Sequence, residues 1–224
     1  MITYTLTCSR RKTIALRVRG GELDVRAPLR TPKYEIDKFI KQKTAWIAKK
    51  LAESGAQAAR REGFTLGYGS LIPYRGAQYP IEAKEGGRAG FDGERFYAPP
   101  DLPPEQIKAA CVRIYRKLAG RDLTQKTLAF AAQMRVSPEK IRITSARTRW
   151  GSCSGKKYIN YSWRLIMAGD DVIDYVVVHE LAHMTEMKHS ERFWGIVARA
   201  LPDYRRRKAG LKELQRRLAG ENWD

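Results

Sequence analysis

Alternating apolar and polar residues open the chain. Residues 2–8, 12–19 and 22–27 follow this two-residue period, which predicts three strands. Gly20-Gly21 separates the last two segments, and a glycine pair in that position predicts a tight hairpin turn. The chain therefore begins as a small sheet.

A helical period follows. Thr31 is a good N-cap and Pro32 suits the first helical position, so together they predict a helix start. Apolar residues then recur at helical spacing over residues 36–51, which predicts one long helix with its apolar stripe in the core. Residues 63–98 return to short alternating segments rich in glycine and aromatic residues, typical of small strands.

Prolines interrupt the pattern near residue 100. Four of them lie between residues 99 and 104, and a helical period then predicts a long helix from about 105 to 134. We predict a domain boundary at this point. It separates a β-rich domain with one long helix, residues 1–100, from a second domain, residues 101–224.

The second half of the chain combines helices with two short strands. Strands are predicted near residues 140–145 and 157–163, and the next helix begins near Asp171. Ser190 predicts the N-cap of a further helix, and a last, basic helix covers about residues 203–218. The fold class predicted from these elements is α+β.

Length and composition indicate a globular protein. The 224 residues, 43% of them hydrophobic, are enough to bury a core, and no apolar run approaches the roughly 18–20 residues of a membrane span. The N-terminus lacks the charged and apolar regions of a signal peptide. Cys8, Cys111 and Cys153 are odd in number and widely spaced, so we expect reduced thiols, with Cys153 packed as a small side chain. We therefore expect a cytoplasmic protein with no membrane partner.

The chain is strongly basic. Its formal net charge is +19, which favours polyanionic partners such as nucleic acid. Residues 1–62 carry +9 of this charge, so the charge is dispersed along the chain. DNA association through the basic surface and a merely solvated basic surface are both open interpretations.

All three histidines fall within one eleven-residue window. His179 and His183 stand four residues apart on a predicted helix, so both imidazoles face the same side about 5–6 Å apart. Zn²⁺ favours imidazole nitrogen, and catalytic zinc sites use three protein ligands with one open position. Glu180 lies about 100° round the helix from His179, so it is free to act as a general base toward water. The pattern predicts a catalytic zinc site.

His189 is the predicted third ligand, with a distant glutamate as the alternative. An unbroken helix would rotate His189 about 240° away from His183, so the helix must end within residues 184–187 and turn back. The spacing is that of zinc proteases with a third histidine, but Glu186 stands where those have a turn glycine. The bend must therefore come from residue 187 or 188.

Further short motifs accompany the histidines. They are Arg149-Trp150-Gly151-Ser152-Cys153-Ser154, Trp163-Arg164-Leu165, Ile173 to His183, His189-Ser190, Phe193-Trp194, Pro202 and Tyr204. Together they resemble the YgjP-like metallohydrolases, compact relatives of the SprT-like and WLM zinc peptidases. The resemblance is specific over about residues 141–211 and weaker before them. Ser162 and Lys188 stand where the family has asparagine.

The resemblance implies a zincin-like helical catalytic core with a small antiparallel sheet in the second half of the chain. It implies a gluzincin-type peptidase with one Zn²⁺ held by His179, His183 and His189 and with Glu180 as the catalytic carboxylate. It also implies an edge strand above the site that pairs with an extended peptide. The segment 158–163 would supply that strand, and the candidate substrate-binding residues in it are Tyr158, Ile159, Asn160 and Tyr161.

A tetrahedral oxyanion also needs a second electrophile. With no histidine left, the candidates are Tyr204, Tyr175 or an arginine, although Tyr204 equally fits a packing role on the last helix.

We predict a zinc-dependent metallopeptidase that acts on a protein or peptide substrate through a metal-activated water. Two alternatives stay open. One is a nucleic-acid-associated, SprT-like protease or a DNA-binding protein with a latent or structural zinc site. The other is a zinc hydrolase of a non-peptide amide. The sequence carries no signal for the oligomeric state.

Overall fold

The computed structural model describes residues 2–223 and has an α+β fold, as predicted. Over these residues it contains six α-helices and three small sheets. None of the helices in this part of the chain is long and apolar enough to cross a membrane.

The chain forms two compact units. One is Met1–Phe64 with Leu218–Asn222, and the other is Thr65–Arg217 with Trp223. The second unit begins before residue 100 because the strands that precede the prolines pack on the helix that follows them. Tyr115 of that helix is fully buried and donates its hydroxyl to the Pro73 carbonyl at 2.6 Å. The division into domains 1–100 and 101–224 stays a prediction about independent folding.

The first unit contains a three-stranded sheet. The strands β1 (Tyr4–Ser9), β2 (Ala15–Arg19) and β3 (Glu22–Pro28) lie in the order β1-β3-β2. β3 is parallel to β1 and antiparallel to β2. Gly20-Gly21 forms the predicted hairpin turn, with φ of 59° and 82°, values that favour glycine.

Two helices cover this sheet where one was predicted. They are α1 (Lys33–Gln42) and α2 (Thr44–Glu62), and the chain leaves helical geometry at Lys43, with φ −104° and ψ 11°. The Thr44 hydroxyl donates to the carbonyls of residues 40 and 41, and this competes with the backbone ladder. The predicted Thr31 cap is also wrong, because its hydroxyl donates to the Pro28 carbonyl and the helix has no side-chain cap.

The core of the first unit is aliphatic. Alternate residues of β3 meet apolar residues of both helices. The buried set is Leu23, Val25, Ala27, Ile36, Ile40 and Ile47.

The second unit begins with a four-stranded sheet and the longest helix. The strands β4 (Leu71–Tyr74), β5 (Ala77–Ala83), β6 (Gly90–Phe91) and β7 (Phe96–Ala98) lie in the order β4-β5-β7-β6. The helix α3 (Pro104–Met134) has nearly the predicted bounds.

A third, three-stranded sheet lies near the histidines. Its strands are β8 (Lys140–Thr144), β9 (Gly151–Cys153) and β10 (Tyr158–Ser162), in the order β8-β10-β9. β10 is parallel to β8 and antiparallel to β9, so the predicted antiparallel sheet is a mixed one. The β9–β10 hairpin inserts its second strand next to β8, which makes β10 the middle strand.

Three helices complete the second unit: α4 (Asp170–Ala182), α5 (Glu191–Ala200) and α6 (Tyr204–Ala219). All three lie close to their predicted positions. Most residues of α4 are buried, which fits its run of apolar residues before His179.

Candidate metal centre

The three histidines converge. One ring nitrogen from each of His179, His183 and His189 lies within 4.8 Å of the other two. The Nε2 atoms of His179 and His189 are 3.0 Å apart. Two imidazole ligands of one tetrahedral ion, each at about 2.0–2.1 Å, stand roughly 3.3 Å apart, so this donor set fits a single small cation. Imidazole nitrogen is a ligand that Zn²⁺, Cu²⁺, Fe²⁺ and Ni²⁺ all accept, so the donor set indicates a transition-metal site.

The helix ends where the spacing requires. α4 stops at Ala182, and turns carry the chain to bends at Met187 and Lys188. No residue of the described segment 183–189 has a positive φ, so the turn needs no glycine. Glu186 holds it instead, because its Oε1 accepts the Lys188 backbone N–H at 3.1 Å.

The tautomer of His183 is set by the same turn. Its Nδ1 lies 3.2 Å from the Glu186 carbonyl oxygen, so Nδ1–H donates and Nε2 is left as the ligand atom. The pKa of His179 falls to about 3, chiefly because of burial and then through repulsion from His183, His189 and Lys208. Burial likewise lowers the pKa of His183. Both rings are therefore neutral and offer lone pairs at physiological pH.

Aromatic rings surround the three imidazoles. Phe193 is fully buried, and its ring centroid is 4.5–5.0 Å from those of all three histidines. Trp194 stacks on His189 with an interplanar angle of 24° and a centroid distance of 5.7 Å. The Ser190 hydroxyl accepts the Phe193 N–H and caps α5. This cap fixes the first turn of the helix, which carries Phe193 and Trp194. The contacts of Phe193 and Trp194 with the histidines were not predicted from the sequence, where the two residues stand only in the family motif and the apolar stripe of their helix.

Glu180 is buried against the edge of the third sheet. Glu180 is 5% exposed, and burial raises the pKa of its carboxyl group to about 8. A Cβ atom on Gly151 would lie 2.5 Å from Glu180 Oε1 and 2.6 Å from its Cγ. The missing side chain of Gly151 therefore makes the space that the Glu180 side chain occupies. The role of Gly151 was not predicted, although the Trp150-Gly151-Ser152 motif carried a signal for it.

β9 is the edge strand beside Glu180. The Ser162 N–H donates to the Trp150 carbonyl and the Ser154 N–H to the Tyr158 carbonyl. These bonds show that the even-numbered residues of the β9 segment are the ones whose backbone groups face β10. Alternate residues of an antiparallel strand bond the same neighbour. Gly151 and Cys153 therefore direct their backbone N–H and C=O groups away from β10, and no other described strand pairs with them.

The predicted edge position of residues 158–163 is wrong, because β10 is paired on both sides. Ile159 and Tyr161 are fully buried, which leaves them no surface for a substrate. Tyr158 is exposed, and the Asn160 amide donates to the Ser152 hydroxyl at 3.2 Å. The role of Tyr158 and Asn160 in substrate binding stays a prediction.

Two tyrosines contact rings of the site, Tyr175 that of His179 and Tyr204 that of Trp194. Tyr175, one turn before His179, is 4% exposed, and its pKa rises to about 12 through burial and then through the charges of Tyr204 and Glu180. Tyr204 stacks on Trp194 with an interplanar angle of 17°, so the predicted packing role of its ring is present. The Tyr175 phenol is therefore a protonated donor at neutral pH.

Comparisons with known proteins identify the family of the chain. A crystal structure of the metallopeptidase zymogen of Pyrococcus abyssi abylysin matches with 20% identity and a TM-score of 0.39, covering 45% of this chain and 97% of that one. No curated protein sequence matches the chain significantly. The model of the YgjP-like metallopeptidase domain matches residues 12–214, nearly the whole chain. The chain therefore belongs to the YgjP-like family of metallopeptidases, which are metal-dependent peptidases.

Proposed function

We propose that the protein is a zinc-dependent peptidase that hydrolyses peptide bonds with Glu180 as general base. The observation that carries the proposal is the convergence of three imidazoles beside one buried carboxylate. The proposed ligands of a single Zn²⁺ are His179, His183 and His189. When bound, the ion supplies Lewis acidity, which polarises a peptide carbonyl and makes water more acidic.

Glu180 transfers the proton in this reaction. Its carboxylate accepts the proton of the attacking water and returns it to the nitrogen of the departing amine. Burial between α4 and β9 keeps this carboxylate out of bulk water, which favours proton uptake near neutral pH. No other acidic residue among those described is adjacent to the histidine cluster with the same burial.

β9 aligns the substrate in this proposal. The outward N–H and C=O groups of Gly151 and Cys153 suit pairing with an extended peptide, which places the peptide alongside Glu180. An extended substrate then needs no specific side chain for alignment, because its own backbone makes the bonds.

Tyr175 and Tyr204 are the candidate donors to the developing oxyanion. Tyr175→Phe and Tyr204→Phe each remove one hydroxyl and preserve the ring. The donor is the residue whose loss lowers kcat by about 10²-fold with KM unchanged. The other variant should keep nearly normal kcat.

The first experiment measures metal and turnover together. Purified protein is expected to hold one zinc per chain and to cleave casein, and a chelator should abolish cleavage until Zn²⁺ is restored. Glu180→Gln should retain the zinc and lose about 10²–10⁴-fold in kcat. Glu139→Gln, at an exposed glutamate of the same unit, is the matched control and should keep full activity.

The third ligand is tested separately. His189→Ala should lower zinc affinity strongly and remove activity, whereas a distant glutamate ligand would leave zinc binding intact.

Full casein cleavage by Glu180→Gln would exclude Glu180 as the base. Zinc binding without cleavage of any protein, but with cleavage of small amides, would favour the non-peptide alternative. The cytoplasmic location and DNA association stay predictions from the sequence.

A further inference from the structure

A cleft of about 870 Å³ lies in the second unit, lined by residues of α3 and of the β6–β7 region. Its volume is in the range of sites that take a ligand of several residues or a drug-sized molecule. No step of the proposed reaction uses it.

The cleft is cationic. Arg113, Lys117 and Arg121 succeed one another at one-turn intervals on α3, about 5–6 Å apart, and Arg88 faces the cleft from the segment before β6. None of the described residues that line the cleft is acidic.

Most of these cations lack a partner of opposite charge. Arg121 is bonded to Asp122, but Arg88, Arg113 and Lys117 form no ion pair with a described residue. Other cations of this unit are paired, as Arg75 is with Asp170. Like charges four residues apart destabilise a helix, so an anionic ligand would relieve the repulsion along α3.

The floor of the cleft is aliphatic. Leu102, Ile114 and Leu118 form it, and the small side chain of Ala109 stands at its exposed rim. An aliphatic side chain can therefore be buried beneath the row of cations.

The aromatic rings of the cleft are already engaged. Phe91 packs 4.7–5.0 Å from Tyr74, Tyr79 and Phe96, and Lys84 lies 4.4 Å over the Tyr97 ring. Binding of single-stranded nucleic acid relies on stacking of bases on free aromatic faces. The cleft therefore fits carboxylates around an aliphatic side chain better than it fits a base and a phosphate.

We propose that this cleft binds an acidic segment of another protein, in which aliphatic residues are flanked by aspartate or glutamate. The aliphatic side chain enters between Leu102 and Ile114, and the flanking carboxylates pair with Arg113 and Lys117. The site recruits acidic proteins to the chain and does not depend on cleavage of the bound segment.

The test measures binding of a short fluorescein-labelled peptide of alternating leucine and glutamate by fluorescence anisotropy. All proteins carry Glu180→Gln, so that the peptide is not consumed. Arg113→Glu with Lys117→Glu should weaken binding by about tenfold or more, since two attractive contacts become repulsive. Arg10→Glu with Lys38→Glu makes the same change in net charge at exposed sites of the first unit and should change affinity less than about twofold.

A second variant tests the floor without changing charge. Ala109→Trp, on the exposed face of α3, fills the cleft and should weaken peptide binding about as much as the charge reversal. Thermal unfolding of each variant confirms that it is folded.

Three outcomes would overturn the proposal. Equal losses in both charge-reversed pairs would mean non-specific attraction. Unchanged binding by Ala109→Trp would place the peptide elsewhere. A thymidine oligonucleotide that binds through Arg113 and Lys117 where the peptide does not would make the cleft a nucleic-acid site.

Discussion

Gly151→Ala is the smallest change that tests how the edge strand and Glu180 work together. The added methyl group would lie 2.5 Å from Glu180 Oε1, 2.6 Å from Cγ and 2.8 Å from Cδ. Ordinary carbon–carbon contact is about 3.5–4.0 Å, so the glutamate side chain or the strand must move by roughly 1 Å. Because Cγ is among the atoms that collide, rotation of the carboxylate alone does not remove the overlap.

The expected loss follows from that displacement. A misplacement of about 1 Å at a reacting group costs on the order of 10²-fold in rate, and complete loss of a general base costs about 10²–10⁴-fold. We expect kcat on casein to fall by about 10²-fold, which corresponds to roughly 2.7 kcal/mol of activation free energy. The histidines do not contact Gly151 directly, so the zinc content should stay at one ion per chain.

The measurement pairs casein turnover with metal analysis of the same preparation. Gly155→Ala is the matched control, because it lies in the same hairpin and a Cβ there meets nothing within 4 Å. That variant should keep its activity. Normal turnover by zinc-loaded Gly151→Ala would refute the assignment of Glu180 as the base, and an equal loss in Gly155→Ala would trace the effect to the hairpin as a whole.

Three further predictions concern ligand positioning, stability and thiol reactivity. Trp194→Ala should weaken zinc affinity about 10–100-fold because the stack that orients His189 is lost, and Trp194→Phe should restore much of it in a competitive chelator titration. The bond from Arg75, and then the charge of Lys126, lower the pKa of Asp170. An aspartate whose pKa is lower in the folded than in the unfolded state stabilises the fold at pH values above its unfolded-state pKa of about 3.9. This stabilisation is lost as the pH falls through the folded-state pKa. Asp170→Asn should therefore reduce the free energy of unfolding in urea at pH 7 by about 0.2–1 kcal/mol, with the difference closing in acid; a pH-independent difference would contradict the ion pair. Burial raises the pKa of Cys111 to about 12 and that of Cys153 to about 11, so Ellman's reagent at pH 8 should label exposed Cys8 first and Cys111 only after unfolding.

Features encoded by nearby residues could be predicted from the sequence. The histidine spacing placed two imidazoles on one helical face and required a turn before the third, and the turn is present. Ser190 could be identified as a cap because its hydroxyl acts only three residues away. Each of these inferences depends on one turn of helix or less, where geometry is nearly fixed by the chain itself.

Features that depend on distant residues could not be predicted in the same way. The alternation in residues 157–163 indicates a strand but does not say which strands flank it, so the edge position was assigned to β10 when β9 holds it. The helix break at Lys43 could not be predicted, because the apolar stripe continues across it. The bonds that accompany the break come from the Thr44 hydroxyl to the carbonyls of residues 40 and 41. The space that Gly151 leaves for Glu180 exists only after a hairpin and a helix have packed together.

The position of Gly151 explains why a glycine suits this point of the edge strand. Its backbone groups face the open edge, where a peptide would pair, while the place of its side chain is taken by the Glu180 carboxylate. A larger residue would push apart the two parts that must act on the same peptide bond: the strand that aligns it and the carboxylate that moves its proton. Cys153 continues the same edge two residues later without such a collision, and a side chain is accommodated there. The requirement for glycine is thus confined to the point where substrate alignment and proton transfer meet.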